Sequence, residues 1–259
     1  MSNPTLNRQF GKLPPTGSTA DAGINTPPTP VVMGADDAMT IGGTASKTSF
    51  LLILVLAAGA WGWGLVEPEL GPVSIPGWWF AVLIGAIAVA VVTAFRPQIA
   101  VFTGPVYAVG MGTVIGSISH IYDAQFEGIV LQALMATASV FLVMLVLFVT
   151  RTIRVTEKLR GIIIGATVGI MVFYLASIVL SLFGTSIPLV WEGGAVGIGF
   201  SLFIVAIAAF NLMLDFDLIE RGVTARAPKH MEWFGAFALM VTIVWLYIEI
   251  LRLISKIRD

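Results

Sequence analysis

Two short stretches carry carboxylates where a chain seldom places them. The first, Asn211-Leu-Met-Leu-Asp-Phe-Asp-Leu-Ile-Glu-Arg221, sets Asp215 and Asp217 at the end of an apolar run. The second, Val244-Trp-Leu-Tyr-Ile-Glu-Ile-Leu-Arg-Leu-Ile254, sets Glu249 behind a long uncharged run and three positions before Arg252. A charge in hydrocarbon costs several kcal/mol, so such residues are functional candidates by default. On a helix Asp217 lies about 200° round from Asp215, and the two cannot share a face. Asn211, four before Asp215, shares its face and is placed to hydrogen-bond it. Asp215 either reaches water near a helix end or faces the bundle. The dipole of a helix C-terminus opposes a carboxylate there and asks for a compensating partner. Glu249 either pairs with Arg252 at i+3, both snorkelling outward, or faces the interior, where desolvation penalises the charged form. Brought together, Asp215 and Glu249 would hold one proton between them and repel when it leaves, which makes a proton-responsive latch. Their oxygens are also the ligands a hard cation such as Ca²⁺ takes.

The elements that must position these groups follow from composition and pattern. The chain is 57% hydrophobic and 11% charged, against about 25% charge in a soluble domain. Continuous apolar runs cover about 49–66, 76–95, 99–119, 128–150, 161–183, 195–214 and 234–257. Each approaches the ~20 residues a helix needs to cross ~30 Å of hydrocarbon. The runs do not alternate, so strands are not expected. The reading is an all-α membrane protein, a seven-transmembrane-helix bundle over 46–259. Residues 1–45, rich in Pro, Thr, Gly and Asn, read as a disordered cytoplasmic tail and not as a signal peptide. Glu67-Pro-Glu, Arg96-Pro-Gln and Gly184-Thr-Ser-Ile-Pro mark connections. Depth tests the carboxylate pairing. A last span beginning at Trp233 puts Glu249 about 24 Å from the membrane face that Asp215 lies within roughly 10 Å of. Contact between them requires the crossing to begin near Leu239.

Loop charges set an orientation. Lys47, Arg96, the group Arg151, Arg154, Lys158 and Arg160, and the group Arg221, Arg226 and Lys229 alternate with loops bearing Glu67, Glu69, Asp123, Glu127 and Glu192. This puts the N-terminus in the cytoplasm, and the basic residues Arg252, Lys256 and Arg258 run against the rule at the other end. Gly110, Gly112 and Gly116, and the overlapping G-x-x-x-G steps of Gly161, Gly165 and Gly169, read as close helix packing. His120 and His230 read as solvent-exposed. With no cysteine, thiolate metal sites and a Cys nucleophile are excluded. Net charge is −1 with no basic-aromatic patch, so nucleic acid is not an expected partner. No H-E-x-x-H or G-x-S-x-G is present and Ser186 has no nearby base, so no enzyme is expected. Lys256 sits at the end of the last span rather than midway, against a retinal protein. No internal repeat points to a secondary transporter.

The pair Leu214-Asp-Phe-Asp-Leu-Ile-Glu220 and Leu246-Tyr-Ile-Glu-Ile-Leu-Arg-Leu-Ile254, with seven spans and a short basic tail, resembles the last two helices of the Bax inhibitor (TMBIM, or YccA-like) family. Met39-Thr-Ile-Gly-Gly-Thr-Ala-Ser-Lys47 is similar to the start of its bacterial branch with an extended N-terminal tail. The resemblance runs over about 39–258. It implies six helices around a central seventh and a pH-sensitive Ca²⁺ leak in a bacterial plasma membrane, with calcium as transported ion and no cofactor. It implies that Asp215 is the first acid of a proton sensor, with Glu249 standing where the family's second acid is Asp. It also implies that Arg96, as the arginine near the end of the second helix, locks the first acid. A second expectation is a non-conducting protein that binds and modulates a membrane protease or other membrane protein partner.

Overall fold

The computed structural model describes residues 37–67, 76–183 and 194–259. Most of the tail, the turn containing Glu69, the Gly184-Thr-Ser-Ile-Pro connection with Ser186, and Glu192 lie outside them. Among the described residues there is no strand, only an isolated bridge between Ala38 and Pro228. Seven helices are long and apolar enough to cross a membrane: α1 (Ile41–Trp63), α2 (Gly77–Phe95), α3 (Ala100–Gln125), α4 (Ile129–Val149), α5 (Glu157–Leu182), α6 (Ala195–Thr224) and α7 (Met231–Arg258). A single turn of 3₁₀ helix at Pro97–Ile99 joins α2 to α3; Pro97 supplies a fixed φ where no N–H is needed.

Five helices, α3 among them, outrun the apolar segments because polar residues extend them without breaking them. Helix α6 continues ten residues past Leu214 to Thr224, so Asp215 lies about 13 Å inside its end and the terminal dipole does not reach it. Helix α7 starts at Met231, eight residues before the start that carboxylate contact requires. Helix α5 begins at Glu157, where the Thr156 hydroxyl accepts from Leu159 N at 3.2 Å and an acid sits in the first turn. Helix α1 begins at Ile41, capped by the Thr40 hydroxyl on Gly43 N at 2.9 Å. Residues 37–45 are therefore part of the fold rather than of the tail. Met39 N donates to Ala227 O at 2.7 Å, Lys229 N donates to Asp37 O at 2.9 Å, and the Met39 side chain is buried.

Helix α7 is the centre. Two thirds of its apolar window (67%) is buried, against 17% for α2 and for α5, and it packs against α1, α3, α4 and α6. Its buried face runs through Leu239, Met240, Val244, Leu246, Tyr247, Ile250 and Leu251. The expectation of a central last helix holds. The closest helix pair is α1 with α3, and glycine allows it. A Cβ at Gly116 would lie 1.9 Å from Gly59 O, and one at Gly62 would lie 2.2 Å from Thr113 O. A Cβ at Gly112 would lie 2.6 Å from Val55 O. Ser117 seals the crossing by donating to Gly62 O at 3.0 Å. The glycines of α5 do not behave this way. A Cβ at Gly161, Gly165 or Gly169 meets nothing within 4 Å, so these steps lie on an open face and are not packing motifs in this chain.

Candidate functional site

The sequence-selected acids separate into three environments. Asp215, on α6, is half-buried as a residue, but its Oδ2 is sealed off and has no hydrogen-bond partner among the described residues. The one side chain placed to hydrogen-bond this carboxyl is Thr242 of α7, whose hydroxyl also donates to Ala238 O at 3.2 Å. A hydroxyl has one proton to give, so the two acceptors compete for it. Phe216, next along α6, packs edge-on against Phe141 of α4, with ring centroids 5.7 Å apart. Asn211 does not serve Asp215. Its Nδ2 donates to Thr167 Oγ1 of α5 at 2.8 Å and to Ile207 O at 2.9 Å, because its amide finds a nearer hydroxyl on the neighbouring helix.

Glu249 is buried, at 2% exposure, in a cluster of its own. It accepts from Tyr174 Oη of α5 at 2.9 and 3.1 Å, from Trp245 Nε1 at 3.2 Å, and from Arg252 at 3.0 and 3.1 Å. Arg252 also donates to Tyr174 Oη at 2.5 Å and lies over its ring at 5.2 Å. The Arg252 Nε is buried without a hydrogen-bond partner among the described residues. The i,i+3 pair expected from the sequence is therefore formed, but it points inward and does not snorkel. Thr242 and Glu249 are seven positions apart on one continuous helix, about 10 Å of rise. The structure does not bring Asp215 and Glu249 together, so they form neither a shared proton site nor a joint ligand set. The residue facing Asp215 across α6 and α7 is a hydroxyl.

Asp217 belongs to a third group at the end of the bundle that carries Arg151, Arg154 and Arg160, the basic end. It pairs closely with Arg160 of α5 and, at 2.8 Å, with Arg221 Nε one turn on. Glu157 joins both arginines at 3.4 Å. Arg151, with a left-handed φ of 56°, forms a two-pronged pair with Glu220. That carboxylate holds its guanidinium above the ordinary range. Arg96 is exposed, with no acidic partner within 4.0 Å among the described residues. It does not lock Asp215; it stands in the break between α2 and the 3₁₀ turn, facing outward.

Several participants escape a reading centred on acids. Arg160, Thr167 and Tyr174 recur every seven residues along α5, and each makes a polar bond to α6 or α7. Buried Ile163, Ile170 and Ser177 repeat with the same period beside them. This is the 3.5-residue seam of two packed helices, visible in the sequence but hidden inside a run that reads as uniformly apolar. Glu232, at 1% exposure, accepts from Thr40 N and Oγ1 at 2.9 and 2.8 Å and pairs with Lys47. It fastens the start of α1 to the start of α7. His120 is half-buried and not solvent-exposed. Its Nδ1 lies 2.8 and 2.9 Å from Trp63 O and Val66 O, so Nδ1 carries the proton, and its ring stacks on Trp63 at 4.6 Å.

Six apolar helices around a buried seventh, with ionisable groups turned inward, define an integral membrane protein of the polytopic helical class. The family model described as Bax inhibitor 1 like matches residues 3–259, and the chain belongs to that family. No curated protein and no solved structure matches it.

Proposed function

We propose that this protein is a proton-responsive leak for Ca²⁺, in which the protonation of Asp215 controls how α6 closes on α7. The observation that carries this reading is the sealed Oδ2 of Asp215: among the described residues it has no hydrogen-bond partner, the carboxyl has no counter-ion, and Thr242 is the one side chain placed to hydrogen-bond it. A buried acceptor without a donor is costly to maintain. Gaining or losing a proton there therefore changes the helix contact more than it would at a paired acid. Family membership supports the leak. Calcium enters as cargo: among the described residues no three His, Asp or Glu side chains gather into a resident site. The gate rests on one carboxyl and a hydroxyl, not on an acid pair, and Glu249 serves as a structural ion pair. By the alternation of basic loops, the basic end faces the cytoplasm of a bacterial cell.

The test is Ca²⁺ flux into dye-loaded liposomes containing purified protein, followed across pH. We expect a pH-dependent leak, flattened in Asp215→Asn and kept in Glu249→Gln. Folded protein that conducts at no pH would overturn the leak and favour the regulatory reading, in which the protein modulates a membrane protease or other partner. A wild-type pH profile in Asp215→Asn would remove that residue from the gate.

A further inference from the structure

Between α1 and α4 the bundle is not closed. A cavity of about 410 Å³ opens there, walled by Ile41, Ala45 and Thr48 on α1 and by Phe141, Leu145 and Phe148 on α4. Its floor is made by Phe216 and Ile219 of α6 and Leu239 of α7, and its end by Arg151 and Glu220. A second hollow of about 330 Å³, lined by Phe148, Arg151, Ile153, Arg154, Val155 and Asp217, shares Phe148 and Arg151 with the first. Adjoining at Phe148 and Arg151, they are the two parts of a candidate slot: an apolar length between helices, and a polar mouth at the basic end. Its volumes fall in the range of about 300–1,000 Å³ typical of ligand sites.

The charges at the mouth select the occupant. Arg154 is exposed and has no acidic partner among the described residues. Arg151 is committed to Glu220, but its guanidinium still lines both hollows and lies over Phe148 at 5.5 Å. The acid that also lines the mouth, Asp217, is already neutralised by Arg160 and Arg221. The backbone of Arg151 is held in the left-handed region, which a non-glycine residue keeps only where its surroundings fix it. A neutral molecule would fill the apolar length but leave Arg154 without a counter-charge, and a zwitterionic lipid would bring a phosphate together with a further cation to a mouth already lined by Arg151 and Arg154. Free phosphate would satisfy the arginine and leave the slot empty. A molecule with both parts satisfies both.

We propose that this slot binds an anionic phospholipid of the surrounding bilayer, with one acyl chain between α1 and α4 and its phosphate against Arg154 and Arg151. Basic pockets between membrane helices suit such headgroups. The proposal is independent of conduction, although the chain would lie against Phe216, the neighbour of Asp215.

The test uses purified full-length protein in phosphatidylcholine nanodiscs, titrated with phosphatidylglycerol and followed by thermal unfolding and by native mass spectrometry. We expect phosphatidylglycerol to raise the unfolding temperature and to remain bound. Arg154→Gln should weaken apparent affinity about fivefold, the equivalent of the ~1 kcal/mol one basic residue gives near an anionic surface. Ala45→Trp, on the exposed face of α1 and filling the slot, should abolish retention of the lipid while leaving unfolding in phosphatidylcholine unchanged. Equal response to phosphatidylcholine and phosphatidylglycerol, undiminished affinity in Arg154→Gln, or stabilisation reproduced by inorganic phosphate alone would each overturn the proposal. Retention of the lipid in Ala45→Trp would overturn it too. So would finding that residues 1–36 occupy the slot, read as new lipid retention when they are deleted.

Discussion

Glu249→Gln separates structural from gating acids. The substitution keeps the shape and an acceptor for Tyr174, but it leaves Arg252 as an uncompensated charge, with Nε already lacking a partner. Removing one member of a buried pair costs about 3–5 kcal/mol. Arg252 keeps its bond to Tyr174 Oη and its side chain is 19% exposed, so the loss belongs at the low end, about 3 kcal/mol. At ~2–4 °C per kcal/mol for a domain of this size, the unfolding temperature should fall by about 6–12 °C. Adding Arg252→Met should recover most of that, because a buried pair replaced by apolar groups is close to neutral. Scanning unfolding at a fixed rate in one detergent compares the three proteins, and flux assays on the same preparations give their pH profiles. Stability unchanged in Glu249→Gln, or a double variant worse than the single, would refute the account of this cluster. A flattened pH profile in a Glu249→Gln protein that remains folded would return Glu249 to the gate.

Three further outcomes are expected. Gly116→Ala should force α1 and α3 apart, since the added carbon would sit 1.9 Å from Gly59 O; a loss of more than about 2 kcal/mol is expected, whereas Gly165→Ala on the open face of α5 should be neutral or slightly stabilising through helix propensity, both read by thermal unfolding. Thr242→Asp places a second carboxyl opposite Asp215; it should change the pH midpoint of flux, and two acids sharing one proton should appear as two titration steps. Lys47→Met leaves Glu232 buried without its cation and should increase proteolytic nicking near the start of α1, with Lys47→Arg restoring protection.

The architecture was largely legible and the site only partly so. Seven spans follow from apolar length alone, because a bilayer imposes that length whatever the residues do. The ends were less legible, because a helix such as α6 continues through Asp217, which Arg160 and Arg221 neutralise, and Glu220, which Arg151 neutralises, while Asp215 is carried inside the bundle beside Thr242. The acids were singled out with both orientations open, inward or toward water, and spacing alone did not give their partners. Pairing Asp215 with Glu249 rested on both being acidic on adjacent helices, and a helix starting at Met231 puts them at different depths. Asn211 and Arg96 failed for a related reason. Sequence spacing fixes the face of a helix but not which neighbour occupies it. The G-x-x-x-G steps of α5 and the step of Gly112 and Gly116 in α3 look alike in sequence, and only the second meets another backbone.

Helix α5 meets the bundle through bonds of an unusual kind for its surroundings. In hydrocarbon, an apolar side chain gains little by exchanging lipid for protein, so the greasy flank of α5 does little to say where the helix stands. Arg160 with Asp217, Thr167 with Asn211, and Tyr174 with Glu249 do say it, like three rivets set at equal intervals along one stave. Loosening a single rivet leaves two to hold the register, and freeing the stave requires disturbing the basic end and the Glu249 cluster together, about 21 Å apart along the helix.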